Sequence, residues 1–304
     1  MRKRVIALGF FDGVHVGHGA LLARTKELAL EYGVTGAALT FDRHPDELVH
    51  GLQVPLLNTA EERKTLIREL YGVEELLTLH FDAERMAQPW EDFVIHTLLE
   101  DFGAVHVVCG YDFRFGARGQ GNAQRLAELC KTLGIGCDCI PAVTVGGETV
   151  SSTRIRLLLQ EGRTEEAVEL LGHPHLLSGT VVSGRGLGRT MGIPTANVRL
   201  EEGILLPCRG VYAALTVIEG KTYMAVVNIG SRPTVEGKHT TIEPWILDYV
   251  GDLYGKELTL ELYSYLREER RFESLEALQG EIHRNAQQTK DLLTHLMSKR
   301  NEQP

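Results

Sequence analysis

The chain has 304 residues, of which 43% are hydrophobic and 24% are charged, and these proportions are typical of a soluble globular protein. At ~150 residues per domain, this length predicts two domains. The formal net charge of -9 argues against a general nucleic-acid-binding protein, and no apolar run is long enough to cross a bilayer. The five cysteines show no disulfide-framework spacing and no signal peptide is recognisable, so we expect a cytoplasmic location.

The first predicted elements enclose a glycine-lined turn. Residues 5–8 form a short apolar run that ends at Gly9 and predicts a buried strand. The sequence Gly-Phe-Phe-Asp-Gly-Val-His-Val-Gly-His follows, and apolar residues at helical spacing then predict a helix that ends at Gly33. His15 and His18 therefore lie where the carboxyl end of a strand meets a helix N-terminus, a position that favours phosphate.

This histidine pair allows more than one interpretation. An H-x-x-H pair can be half of a metal site or two ordinary turn histidines. No further Cys, His or carboxylate ligands follow at close spacing, which speaks against a metal site. Imidazole N–H groups beside a phosphate can stabilise the charge that develops during displacement at phosphorus. The turn therefore indicates a nucleotide-handling enzyme.

Strands and helices alternate through the rest of the first half. Residues 36–41, 76–81 and 105–109 predict strands, and residues 61–71, 90–102 and 123–133 predict helices. Such alternation indicates βαβ units and a parallel sheet covered on both faces, a Rossmann-like α/β domain. Two short helices over residues 154–160 and 164–171 close this domain, which we place at residues 1–172.

The hydrophobic period changes in the second half, residues 173–304. Residues 179–183, 210–218, 221–228 and 257–265 predict strands, and the terminal stripe of leucines predicts an amphipathic helix that starts near Ser274. This pattern indicates a small antiparallel β-barrel with a C-terminal helix.

Polar motifs follow the strands of the first domain. Phe-Asp-Arg-His-Pro occupies residues 41–45, Gly-Tyr-Asp-Phe-Arg-Phe-Gly occupies residues 110–116, and Ser-Ser-Thr-Arg-Ile-Arg opens a helix at residues 151–156. Hydroxyl groups at a helix start are common caps. Together with free N–H groups and two guanidinium groups, they also suit a triphosphate.

These motifs resemble the FMN adenylyltransferase branch of the nucleotidylyltransferase superfamily. The resemblance implies attack of the FMN phosphate on the α-phosphorus of ATP, with His15 and His18 stabilising the transition state. It implies flavin-side or phosphate-side roles for His44, Pro45 and Asp112. It further implies ATP-binding roles for the turn residues and the hydroxyl-rich helix start: Gly9, Phe10, Asp12, Gly13, Ser151, Ser152, Thr153 and Arg156.

The second domain opens with two short motifs. A flexible basic loop able to cover phosphates occupies residues 184–189 and includes Gly184, Arg185 and Gly188; its G-x-G-x-G spacing does not fit a dinucleotide fingerprint. Residues 192–197 read Gly-Ile-Pro-Thr-Ala-Asn. Thr195 and Asn197 point to one face of an extended segment and suit Mg²⁺ that already carries ATP phosphates. A turn rich in small polar residues is the alternative.

Together with residues 227–234 and 251–255, these motifs resemble the riboflavin kinase module. The resemblance implies a six-stranded antiparallel barrel, ATP binding by the glycine-rich segment that includes Gly192, and Glu243 as the general base for the riboflavin 5′-hydroxyl. Arg267 matches the tail pattern and is expected on the flavin side. The family histidine two residues after the glutamate is replaced here by Trp245, which either stacks on the flavin or packs. Pro244 predicts an edge or bulged strand.

The resemblance therefore covers both halves and implies a bifunctional riboflavin kinase/FMN adenylyltransferase of the prokaryotic FAD synthetase family. Its expected partners are riboflavin, FMN, FAD, ATP and Mg²⁺, with no nucleic acid and no membrane, and self-association is left open. An alternative keeps the adenylyltransferase but makes the barrel a flavin-binding regulatory module whose kinase activity is lost through Pro244 and Trp245. A nucleic-acid regulator is disfavoured by the acidic charge.

Overall fold

The computed structural model describes residues 2–184, 192–234 and 237–301, and only the backbone of residues 232–234, 237–239 and 299–301. Two compact units divide these residues. The first contains residues 1–56 and 60–152, and the second contains residues 57–59 and 153–304.

The helices are α1 (Val16–Tyr32), α2 (Pro45–His50), α3 (Ala60–Tyr71), α4 (Ala83–Ala87), α5 (Trp90–Asp92), α6 (Ala123–Leu133), α7 (Ser152–Gln160), α8 (Thr164–Leu171) and α9 (Leu275–Asn301), with a π-helix at Phe93–Asp101 and a 3₁₀ turn at Ala117–Gly119. The strands are β1 (Arg4–Leu8), β2 (Thr35–Phe41), β3 (Glu75–Leu79), β4 (Ala104–Gly110), β5 (Arg114–Phe115), β6 (Gly121–Asn122), β7 (Gly136–Ile140), β8 (Thr144–Val145), β9 (Glu148–Thr149), β10 (His175–Val182), β11 (Asn197–Leu200), β12 (Gly210–Ile218), β13 (Lys221–Thr234), β14 (Gly237–Ile246) and β15 (Glu257–Arg267). Within the described ranges, no helix combines the length and the apolar composition that a membrane span requires.

The first unit is built on a parallel sheet in the order β3-β2-β1-β4-β7. This confirms the predicted α/β class. The chain builds outward from β1 through β2 to β3 and then places β4 on the other side of β1. The carboxyl ends of β1 and β4 therefore flank the point where the strand order reverses, which is where open α/β sheets bind ligands.

Local sequence explains the ends of the helix that carries the histidine pair. His15 is the N-cap of α1, with a β-region backbone and a side chain that accepts a hydrogen bond from the His18 N–H. Gly33 is the C-cap, with φ of 64°, a left-handed conformation that glycine adopts without steric cost. The prediction of this helix from its apolar spacing and its glycine stop is confirmed.

One predicted helix takes a different form. Residues 90–102 read as one α-helix, but α5 ends at Asp92 and continues as a π-helix. Its core side buries Phe93, Val94 and Leu98 against the sheet. The apolar spacing specifies which face is buried, but it does not distinguish i→i+4 from the rare i→i+5 hydrogen bonding.

The second unit contains a closed six-stranded barrel in the order β10-β11-β14-β13-β12-β15, as the resemblance implies. Inward-facing residues of every strand form one core, including Tyr212, Leu260 and Leu262, all fully buried. On the outside, α9 covers two smaller apolar clusters through Ala286 and Leu293. The helix begins at Leu275, and the Ser274 hydroxyl accepts a hydrogen bond from the Ala277 N–H at 3.1 Å.

The compact units divide between Ser152 and Thr153, whereas the sequence predicts a boundary after residue 172. Contacts of the two short helices explain the difference. The Leu159 carbonyl accepts a hydrogen bond from the Cys208 N–H at 2.8 Å, and Glu165 in α8 accepts one from the Ser264 hydroxyl. The helices α7 and α8 therefore pack within the barrel unit.

Candidate active sites

The turn after β1 has an unusual backbone. Phe11 has φ of 59°, Gly13 has φ of 81° and Val14 has φ of 40°. Positive φ is rare for residues other than glycine and persists where the surrounding structure enforces it. Phe11 and Val14 are both completely buried, so their side-chain packing holds the turn in this conformation. Gly9 leaves room for the Phe11 ring, which would lie 3.1 Å from a Cβ at that position.

The two predicted catalytic histidines are brought together at this turn. Their rings stack with centroids 3.6 Å apart and an interplanar angle of 13°. The His15 Nδ1 accepts the His18 N–H at 3.2 Å, which places the proton of neutral His15 on Nε2. Burial, the adjacent His15 and the charge of Arg63 together hold the pKa of His18 well below its ordinary value. The His18 imidazole is therefore uncharged at neutral pH, and the Nε2–H of His15 is left available as a donor.

Ser152 and Asp12 connect the turn to the hydroxyl-rich segment. Asp12 is 2% exposed, and its carbonyl accepts a hydrogen bond from the Ser152 hydroxyl at 2.8 Å. Ser151 immediately precedes α7. Because Ser152 is the last residue of the first unit, Thr153 and Arg156 belong to the second unit, on the first turns of α7.

The predicted flavin-side residues divide into two groups. His44 caps α2, where its Nδ1 accepts the Asp46 N–H at 3.2 Å, and Pro45 is the first residue of that helix. The His44 ring meets the Phe10 ring edge-on at 4.7 Å, which joins the two predicted motifs. Asp112 instead lies exposed in the loop after β4. That loop occupies the opposite side of the strand-order reversal.

Sequence reasoning missed one buried cation, Arg63. Its guanidinium carbon lies 4.3 Å above the centroid of the Phe10 ring, and its Nη1 donates to the Thr40 hydroxyl at 3.2 Å. The Thr40 hydroxyl in turn donates to the Phe10 carbonyl at 2.9 Å. A signal was present, because Arg63 occupies the same helical stripe as Leu66 and Ile67, where a charge is unusual.

In the barrel unit, strand register assembles a row of polar side chains. Asn228 on β13 pairs directly with Glu243 on β14, and both face away from the core that contains Ile229 and Ile242. On the other side of β14, Val198 pairs with Ile242, which brings the next residue, Asn197, level with Glu243. Glu243 therefore lies between two asparagines on the outer face of the barrel.

Other predicted kinase residues surround this row. The Asn197 amide lies so close to Gly184 that a Cβ there would come within 2.1 Å of Nδ2. Thr195 lies two residues before Asn197, in the extended segment that leads into β11, and Gly192 has φ of 71° at its start. Arg185 and Gly188 lie outside the described residues.

The strand that contains Pro244 is neither an edge strand nor bulged, contrary to the expectation from sequence. The pairing of Pro244 with Val227 lies within a continuous register between β13 and β14. The Pro244 carbonyl accepts the Ala196 N–H at 3.0 Å, so its backbone polar groups face β11. On that side, β14 forms only one regular residue pair with β11 among the described residues, so the missing N–H of Pro244 removes few hydrogen bonds between the two strands.

The two predicted flavin residues of the barrel contact α9. The Trp245 ring meets His283 at 5.7 Å and packs in the cluster that contains Ala286. Arg267 donates to Asn285 at 3.1 Å and forms an ion pair with Glu281 at 3.4 Å. The structure thus shows Trp245 packing against protein, and a flavin-binding role for Trp245 and Arg267 stays a prediction.

Comparison with known proteins separates the same two regions. The family model described as FAD synthetase matches residues 1–154, and the one described as riboflavin kinase matches residues 171–293. A bifunctional riboflavin kinase/FMN adenylyltransferase from Listeria monocytogenes is 34% identical over 97% of this chain and 94% of that protein. The protein of the same description from Pseudomonas fluorescens is 38% identical over 92% and 90%. The chain belongs to the bifunctional riboflavin kinase/FMN adenylyltransferase family.

A solved structure extends the likeness to three dimensions. It is described as a macrolide-efflux protein from Streptococcus pneumoniae and is 28% identical to this member of the bifunctional family. The TM-score is 0.86 over 95% of this chain and 94% of that chain. Both the parallel sheet and the barrel therefore recur in a solved protein.

Proposed function

We propose that this chain catalyses two successive ATP-dependent reactions at two separate sites. The barrel unit phosphorylates riboflavin to FMN, and the α/β unit transfers the adenylyl group of a second ATP to FMN, which yields FAD and pyrophosphate. The observation that carries this proposal is that one chain matches both family models in order while each region presents its own cluster of predicted catalytic side chains. A cytoplasmic location and self-association stay predictions.

In adenylyl transfer, His15 and the uncharged His18 would act as hydrogen-bond donors rather than as bases. The Nε2–H of His15 and an imidazole N–H of His18 would face the α-phosphate of ATP and stabilise the negative charge that grows as the FMN phosphate attacks. The FMN phosphate is already a nucleophile, so no side chain has to remove a proton from it. The rigid turn holds both donors before substrate binds, which lowers the reorganisation that the reaction requires.

In riboflavin phosphorylation, Glu243 would accept the proton of the 5′-hydroxyl as that oxygen attacks the γ-phosphorus of ATP and the bond to the β-phosphate breaks, which releases ADP. Thr195 and Asn197 would hold Mg²⁺ through hydroxyl and amide oxygens, the hard donors that this ion accepts alongside phosphates and water. The Asn197 amide fits such a role, because Gly184 leaves space for it beside Glu243 in the polar row. When bound, the ion neutralises charge on the transferring phosphoryl group.

One incubation tests the proposed function. Purified protein with riboflavin, ATP and MgCl₂ should produce FMN and then FAD, resolved by chromatography of the flavins. FAD formed from FMN but no FMN formed from riboflavin would instead support the barrel as a flavin-binding regulatory module.

Two substitutions test the assignment of sites. His18→Ala should lower FAD formation from FMN by about 100- to 1000-fold, because a charge-stabilising donor is lost, and should spare FMN formation. Glu243→Gln should lower FMN formation by about 100- to 10 000-fold and spare adenylylation. The exposed residues His96 and Glu219 provide matched controls, as His96→Ala and Glu219→Gln. Loss of both activities from either single change in a folded protein would contradict two separate sites.

A further inference from the structure

Arg63 is an arginine whose side chain is almost completely buried. It lies on the apolar face of α3 and is 3% exposed, although a charged side chain is seldom buried without a paired charge. Phe10 covers one face of its guanidinium, and Thr40 accepts from Nη1. Both contacts lie at the carboxyl edge of the sheet: Phe10 is in the turn after β1, and Thr40 is the next-to-last residue of β2.

One edge of this guanidinium has an unused donor. The Nε of Arg63 is buried and has no hydrogen-bond partner among the described residues. Elsewhere in the chain, the edge formed by Nε and Nη2 binds carboxylates with two parallel hydrogen bonds. Arg4 binds Glu75 in this way at 2.7 and 2.9 Å, and Arg163 binds Glu166 at 2.6 Å through each nitrogen. The Arg63 Nε has no such carboxylate among the described residues.

The charges around Arg63 connect it to the adenylyl-transfer site. Burial lowers the pKa of Arg63 and the Asp12 charge opposes this shift, while the charge of Arg63 helps to lower the pKa of His18. Arg63 is therefore within electrostatic range of the turn and of one catalytic histidine. A buried donor that lacks an acceptor costs free energy, which a ligand with two anionic oxygens would recover.

We propose that Arg63 is a substrate-binding residue whose Nε and Nη2 bind two oxygens of one phosphoryl group during adenylyl transfer. This inference rests on the proposed function of the first unit. The phosphoryl group belongs either to FMN or to ATP, because both bring phosphate oxygens to the histidine pair. A planar guanidinium matches two such oxygens, whereas an ammonium group acts as a single point charge.

The decisive variant is Arg63→Met, which keeps the length of the side chain and removes the fork. Initial rates of FAD formation are measured with FMN and ATP varied separately. If the FMN phosphate is bound, KM for FMN should rise by about 10- to 100-fold, while the inhibition constant of lumiflavin, which has no phosphate, stays unchanged. If an ATP phosphate is bound, KM for ATP should rise by the same factor, while inhibition by adenosine stays unchanged.

Two further variants serve as controls. Arg68→Met removes a half-exposed arginine of the same helix and should leave all constants unchanged. Arg63→Lys keeps the charge and loses the fork, so KM for the affected substrate should rise several-fold and less than in Arg63→Met. This variant also carries the test if Arg63→Met does not fold, which the thermal unfolding curve would reveal.

The outcomes separate the inference from the proposed function. Absence of FAD formation by the unaltered protein contradicts the proposed function itself. FAD formation by the unaltered protein, with neither KM changed in folded Arg63→Met, overturns the role of Arg63. Weaker inhibition by lumiflavin or adenosine in proportion to the KM change would also overturn it, because loss of a phosphate contact cannot weaken a ligand without phosphate.

Discussion

The two regions position their predicted functional side chains by different physical means. In the α/β unit, one short stretch of chain carries Phe10, Asp12, His15 and His18, and a turn with left-handed residues sets their directions. In the barrel, residues far apart in sequence, Asn197 and Glu243 among them, become neighbours through strand register. The site at the turn should therefore be sensitive to changes in the local backbone conformation. The site in the barrel should be sensitive to changes in the side chains that pack between neighbouring strands.

The largest effect that we expect is a loss of stability at low pH, caused by His175, a buried histidine of the barrel unit. His175 is 1% exposed at the start of β10, and burial, with a smaller contribution from His173, lowers its pKa from 6.5 to about 4. The unfolded chain binds a proton at higher pH than the folded chain, so this residue makes stability fall as the pH drops from 6.5 towards 4. The contribution is fully retained above that window and amounts to roughly 3 kcal/mol.

Chemical denaturation of the unaltered protein and of His175→Gln between pH 7 and pH 4 measures this contribution. The unaltered protein should lose roughly 3 kcal/mol more unfolding free energy than the variant over that range. His96→Gln, which changes an exposed histidine, should follow the unaltered protein closely. Parallel curves for all three proteins would contradict this prediction, because they would show that folding does not change the pKa of His175.

Gly184→Ala tests the barrel site through the space beside Asn197. A new Cβ within 2.1 Å of the Asn197 Nδ2 and 2.7 Å of its Cγ must displace that amide. The rate of riboflavin phosphorylation should fall by roughly 10-fold, which is equivalent to about 1.4 kcal/mol. Half-saturation should also require a higher Mg²⁺ concentration. FAD formation from FMN should be unchanged. Gly280→Ala, at an uncrowded position on α9, is the control. Unchanged Mg²⁺ dependence would contradict the proposed metal-binding role of Asn197.

The smallest effect is expected at His44, where capping and binding can be separated. His44→Ala removes the cap of α2 and should speed amide hydrogen exchange in residues 45–50 about 5-fold, whereas His44→Asn restores the cap. Both variants lose the ring contact with Phe10 and should raise KM for FMN a few-fold. Restoration of KM by asparagine would show that His44 acts as a cap alone.

Much of the fold follows from local sequence. The apolar spacing predicts α6, α8 and β12 at the ends that the structure shows, and the glycine stop predicts the end of α1. The π-helix is missed because its apolar spacing resembles that of an α-helix. The strand β14 is only partly foreseen, because Pro244 suggests an irregular edge. The Pro244 carbonyl faces β11, with which β14 is sparsely paired, and this arrangement is set by the closed barrel rather than by the proline itself.

The sequence by itself determined that two histidines follow a strand at a helix start, that parallel α/β units precede an antiparallel barrel, and which residue types each site contains. These features depend on contacts between residues close in the chain. Only the tertiary structure decided that Arg63 turns inward onto Phe10, that Asn228 and Asn197 flank Glu243, and that Trp245 packs against α9. Those contacts join residues tens of positions apart, and their register and packing are settled when whole elements bury their apolar faces together.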